Sequence, residues 1–160
     1  LGTYHPTADD RPGVTEAEVF DAVRYERARA AIAWLCDAFG FAEHRLVSGT
    51  GDQVAHALLR FGTSLLLLSS AREDDPLRLS APHQVGGVHT QVLYCVVDDP
   101  VAHSAQATAV GVEILVEPTV MPWGAHMYLA RDPEGYVWCF STYGPKTKEN
   151  AARPVASAGG

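Results

Sequence analysis

The order strand, helix, strand, strand, strand is written twice in this chain, and that repeat constrains the fold more than any single motif. In the first copy, about residues 20–70, Ile32, Leu35, Cys36 and Phe39 fall at helical spacing within Ala28–Phe39. Gly40 then stands where a helix ends in left-handed backbone. A strand within Val19–Glu26 precedes the helix. Phe41–Val47, Gln53–Phe61 and Ser64–Ser69 follow as strands, broken by Ser48-Gly49-Thr50-Gly51-Asp52 and by Gly62-Thr63. In the second copy, about residues 91–143, a strand over Gln91–Val97 leads to Asp99-Pro100. That pair marks a helix start: a short side-chain acceptor satisfies free amides, and proline at the first helical position loses no needed donor. The helix runs to about Val110 and strands are expected at Val112–Val116, Ala125–Ala130 and Val137–Thr142. Between them lie the loop Glu117–Gly124 and the turn Asp132-Pro133-Glu134-Gly135. The fold class is therefore α+β, built from two tandem modules of about residues 18–70 and 88–145. Two like units in one chain enclose a cleft, so a small-molecule site is the first functional hypothesis.

Composition narrows the classes. With 160 residues, 47% of them hydrophobic, the chain buries one respectable core. No apolar run approaches a membrane span, and Leu65–Leu68 reads as a strand core, so no membrane partner is expected. A formal charge of −7 argues against nucleic acid, whose phosphates want a basic face. The three cysteines, Cys36, Cys95 and Cys139, are odd in number and form no CxxC pair, which speaks against a disulfide framework. The first residues lack the basic-then-apolar pattern of an export signal, and cytoplasm is the expected compartment. Residues 1–15 and 146–160 read as flexible tails around a domain at 16–145, with Ala71–Gly87 as a linker over the surface.

Strand alternation separates two faces. In Val54–Phe61, the residues Ala55, Ala57, Leu59 and Phe61 form an apolar face suited to the helices, opposite His56, Leu58 and Arg60. In the last strand Trp138 and Phe140 share the helix side, and Val137 and Cys139 the other. The expected ligand-binding lining comprises His56, Leu58, Arg60, Leu67, Tyr94, Met127 and Cys139, with Trp123 in the proline-flanked loop closing over it. An apolar lining with a few directional polar groups suits an organic ligand. If the protein is an enzyme, His56, Arg60 and Tyr94 are the catalytic candidates, as base and as stabilisers of an enolate. Cys139 reads as a small hydrophobe unless a nearby base or positive field lowers its pKa. His44, His83 and His103 read as solvated or capping.

The helix end Ala33-Trp34-Leu35-Cys36-Asp37-Ala38-Phe39-Gly40-Phe41, the strand Val54-Ala55-His56-Ala57, Val97-Asp98-Asp99-Pro100 and Asp132-Pro133-Glu134-Gly135 occur in one order across roughly residues 20–145. In this the chain resembles the vicinal oxygen chelate superfamily, which includes glyoxalase I, fosfomycin-resistance transferases, extradiol dioxygenases and bleomycin-binding resistance proteins. The resemblance implies paired βαβββ modules forming an open barrel-like cavity, commonly within a homodimer. It also implies a divalent metal held by His, Glu or Gln on four strands, which would polarise a substrate oxygen. Carried over position by position, that ligand set falls at Phe20, Leu67, Val92 (Gln91 if the register is one residue out) and Cys139. Three of these four cannot coordinate a hard cation, so no metal and no other cofactor is expected. The resulting expectation is a metal-independent, homodimeric protein that sequesters an aromatic or amphipathic small molecule, as in self-resistance to an antibiotic. The alternative is an isomerase, lyase or cyclase of the same fold, with a metal-dependent glyoxalase or dioxygenase behind it.

Overall fold

A computed structural model describes residues 19–144; the expected tails, 1–15 and 146–160, lie outside the described residues. The elements are β1 (Ala22–Tyr25), α1 (Ala28–Phe39), β2 (Ala42–Ser48), β3 (Val54–Phe61) and β4 (Ser64–Ser70). A 3₁₀ turn at Pro82–Val85 follows, then β5 (Leu93–Val96), α2 (Pro100–Ala109), β6 (Glu113–Val120), β7 (His126–Arg131) and β8 (Val137–Ser141). Two four-stranded sheets result, ordered β1-β4-β3-β2 and β5-β8-β7-β6, each with one parallel pair made possible by its crossover helix. The two βαβββ modules are thus present, with neither sheet closed into a barrel.

The helix signals hold. Gly40 takes the left-handed conformation at φ 76°, and its N–H donates to the Cys36 carbonyl. The Asp99 carboxylate accepts from the amides of Val101 and Ala102, with Pro100 at the first helical position. Two expectations shift. First, β6 continues to Val120 through Pro118, so the first half of the expected loop Glu117–Gly124 is strand; proline is tolerated because β6 is an edge strand and the ladder is irregular between Val116 and Thr119. Second, Ala55 is exposed and Val54 takes the core position in its place, because the pairing of β2 with β3 slips between Val47 and Ser48.

The inner faces of both sheets and the two helices share one core. Tyr25, Leu59 and Leu68 of the first sheet belong to the same cluster as Tyr128, Trp138 and Phe140 of the second. Phe39 at the end of α1 is its hub, with ring centroids 4.7 Å from Phe140 and 5.4 Å from Trp138.

The β7–β8 turn then locks the modules together. Asp132 accepts from the Tyr25 hydroxyl at 2.6 Å and the Trp138 indole N–H at 3.0 Å, and from the amides of Glu134 and Tyr136. Glu134 accepts from the amides of Glu26 and Arg27 immediately ahead of α1, where its charge also meets the positive end of the helix. The Tyr136 hydroxyl donates to the Arg24 carbonyl and accepts from its amide, satisfying the free edge of β1. The segment between the modules is more than a surface linker: Ala81 and Pro82 are buried, and Asp75 pairs with Arg24 at 2.7 Å.

Candidate functional site

The residues expected to line a ligand site fall on the outer faces, opposite the shared core. Register aligns them in rows, since directly paired residues project to the same side. On the first sheet the rows are Ala42–Arg60–Leu65 and Arg45–Leu58–Leu67–Ala22, with Val47 beside His56 in a third. On the second sheet they are Val116–Leu129–Cys139–Tyr94 and Thr119–Met127–Ser141–Val96. His56, Leu58, Arg60 and Leu67 therefore share one face, and Tyr94, Met127 and Cys139 share another, on the other sheet. Leu58, Val137 and Cys139 are buried yet stand outside the shared core, so each outer face has its own small apolar centre.

The single chain leaves these faces partly open. Phe20, Val92, Tyr94 and Val96 are large apolar side chains exposed around β1 and β5. Trp123 sits at the tip of the β6–β7 hairpin, 65% exposed, in a turn closed by the Gly124 amide on the Met121 carbonyl. Tyr94 donates its hydroxyl to the Tyr143 carbonyl at 2.8 Å. One cleft of ≈ 320 Å³ opens between the β3–β4 hairpin and β5, lined among others by Phe61, Leu65, Tyr94, Val96 and Trp138. Of the eight predicted site residues, it holds Tyr94 alone.

The family metal does not fit the residues present. Leu67 stands on the outer face beside Leu58 and Ala22, Phe20 and Val92 precede their strands, and Cys139 lies between Tyr94 and Leu129. Burial pushes the Cys139 thiol up, away from the thiolate that metal binding or nucleophilic attack requires. Among the described residues no three His, Cys, Asp or Glu side chains are grouped so as to hold a metal ion. Two histidines expected to be solvated or capping have definite structural partners. His103 accepts from the Tyr128 hydroxyl through Nδ1 and donates to the Phe39 carbonyl through Nε2, and burial holds it down toward the neutral form that this pattern requires. His83 contacts Glu26 at 2.6 Å and the Glu134 carbonyl at 3.2 Å.

Arg45 is the outer-face residue that strand alternation alone misses. The β2–β3 register slips between Glu43 and Arg45, which sends Arg45 to the side of Leu58. No residue in β2 announces that irregularity.

This arrangement of two βαβββ modules, with side chains gathered on the outer faces of their sheets, defines a class. The chain belongs to the Glyoxalase/Bleomycin resistance protein/Dioxygenase superfamily, whose sequence profile matches residues 19–140. Among solved structures it is similar to TioX from Micromonospora sp. ML1, with 25% identity over 82% of this chain and 100% of that one, at a TM-score of 0.63. It is similar in fold to glyoxalase I from Zea mays, at 18% identity and a TM-score of 0.59, over 78% of this chain and 43% of that one. A superfamily member from Sphaerobacter thermophilus DSM 20745 matches at 14% identity over 80% of this chain and 98% of its own, at a TM-score of 0.56. No curated protein matches the chain.

Proposed function

We propose that the protein is a metal-independent small-molecule binding protein, which holds an aromatic or amphipathic ligand against its outer faces in the manner of bleomycin-resistance-like members. The observation that carries this reading is the chemistry at the centre of those faces. Leu58 beside Leu67 and Cys139 beside Tyr94 and Leu129 offer burial and ring contacts where the family's metal donors would be needed. A second copy of the chain completes the site. The exposed apolar residues of β5 and the outer face of the first sheet are each half a container, and pairing one module with its counterpart in a partner closes it. Function is then stoichiometric capture: sequestration or self-resistance scales with the amount of protein.

The test combines metal content with ligand recovery. Gently purified protein is expected to hold less than about a tenth of an equivalent of zinc, nickel, manganese or iron, and to gain no stability on their addition. Aromatic ligands are expected to quench tryptophan fluorescence, Trp123 being the exposed reporter, and to be recovered chemically unchanged. Near-stoichiometric metal or efficient turnover would overturn the proposal. Sedimentation should give a dimer, and a ligand-competent monomer would remove the partner from the site. An enzymatic reading draws on His56, half-buried on the same face as Arg60. It requires that His56→Ala abolish a turnover that the wild-type protein displays.

A further inference from the structure

We infer that the hollow between β1 and the segment joining the two modules is a second ligand site, which takes a small organic acid: a carboxylate on Arg78 and a short apolar body over Leu79, Val85 and Val88. The hollow, of ≈ 290 Å³, borders the first sheet's outer face at Ala22 and is otherwise walled mainly by residues 78–91. It goes beyond the outer-face function and does not depend on it. Arg24, Arg78 and His89 line it, and among the described residues no Asp or Glu does. Arg24 is already engaged: its Nε donates at 2.7 Å to Asp75, whose side chain is 2% exposed, so the two form an internal, neutral pair. Arg78 is the cation left to a ligand. It is exposed, and among the described residues its guanidinium makes no hydrogen bond or ion pair.

The backbone holds this arginine where another residue would sit more easily. Asp75-Pro76-Leu77-Arg78 is a β-turn with aspartate first and proline second, as the common type prefers. The Arg78 amide closes it on the Asp75 carbonyl at 2.9 Å, and the Asp75 carboxylate accepts from the Leu77 amide at 2.9 Å. The fourth position of such a turn favours glycine. Arg78 stands there at φ 54°, in left-handed backbone that disfavours any residue with a Cβ. Every other described residue with positive φ is a glycine. Strain kept where glycine would relieve it points to a use for the side chain. The hollow supplies one. The planar donor fork of a guanidinium matches a carboxylate. Leu79, Val85 and Val88 are exposed apolar side chains of the same wall, and a small hydrocarbon body would take them out of water. The chain's charge of −7 repels an acid at a distance, but that repulsion falls off within a Debye length of about 10 Å at 0.1 M salt, so the near arginine decides the preference.

Three matched probes test this: hexanoate, hexanamide and hexylammonium, titrated into the full chain and followed by the backbone-amide NMR shifts of residues 77–91. The acid is expected to bind about fivefold more tightly than the amide at low ionic strength, with the ammonium weakest, and the preference should shrink in high salt. Arg78→Gly is the deciding variant, because glycine suits the left-handed turn. It should melt no lower than the wild type, yet bind acid and amide alike. Arg29→Gln, which alters an arginine of α1, should leave the preference intact. Equal binding of acid and amide by the wild type, an acid preference that persists in Arg78→Gly, or its loss in Arg29→Gln overturns the assignment. So does a titration in which no probe shifts these amides. The outer-face function is read separately, by tryptophan quenching with aromatic ligands, and stands or falls on its own.

Discussion

The two helices of this protein have the same length class and the same place in their modules, but they are terminated in opposite ways. α2 is self-sufficient at its start: Asp99 accepts from the amides of Val101 and Ala102, and Pro100 presets the first turn. α1 begins at Arg27 with no side-chain cap of its own. The carboxylate at its start is Glu134, and the imidazole on its final carbonyl, Phe39, is His103; both belong to the other module. The turns differ in the same sense. Gly62-Thr63 merely reverses β3 into β4, whereas Asp132 to Tyr136 reaches across to Tyr25, Glu26, Arg27 and Arg24. The second module is thus a template on which the first is fixed, although the order of elements makes them look interchangeable.

The largest break in that relationship is Trp138→Ala. Trp138 is 1% exposed, packs on Phe39 and Phe41 of the first module, and donates its indole N–H to Asp132. Truncating it should lower unfolding stability by about 3–5 kcal/mol, since a large cavity and an emptied acceptor arise together. Denaturant unfolding, followed by circular dichroism, should still show one transition. Two separated transitions would mean that the modules hold their folds independently.

A sharper test compares the two caps. Glu134→Ala removes a carboxylate bonded to two amides ahead of α1 and should cost about 1.5–3 kcal/mol, within the range for hydrogen bonds to a charged group. Asp99→Ala removes a cap exposed on the surface of α2 and should cost about 1 kcal/mol. Equal losses in the same denaturant assay would show that the cross-module cap adds nothing beyond an ordinary one.

The elements were legible because they follow local rules. The helix Ala28–Phe39 is bounded by its spacing and by Gly40, and Asp99-Pro100 sets the start of α2. The faces of β8 follow from alternation, with Trp138 inward and Cys139 outward. Irregularities resisted reading because no residue type encodes them: the slip beside Ala55, the turnover at Arg45 and the passage of β6 through Pro118 depend on the neighbouring strand. The candidate site was read as one list of residues around one cavity, whereas strand register places His56, Leu58, Arg60 and Leu67 on one sheet and Tyr94, Met127 and Cys139 on the other. The roles of Glu134, His83 and His103 lie in contacts between residues 57 to 108 positions apart, which local pattern cannot supply.

The smallest expected effect separates the two ends of α1 by pH. Near its start, both ring nitrogens of His83 face acceptors, the Glu26 carboxylate and the Glu134 carbonyl, and the Glu26 bond raises its pKa above 6.5. Stability from this contact is therefore complete below pH 6.5 and lost as pH rises through the folded-state value. At its end, burial lowers the pKa of His103 below 6.5, so that contribution is complete above pH 6.5 and lost as pH falls through the folded-state value. Asp132, whose carboxyl burial pushes up, runs against His103 on the acid side, so differences between variants carry the test rather than the raw curve. Wild type minus His83→Gln should fall as pH rises above 6.5, by less than about 1 kcal/mol because the side chain is 38% exposed and screened. A difference that stays flat there would mean that His83 is neutral in the folded protein and that Glu134 holds the start of α1 without it.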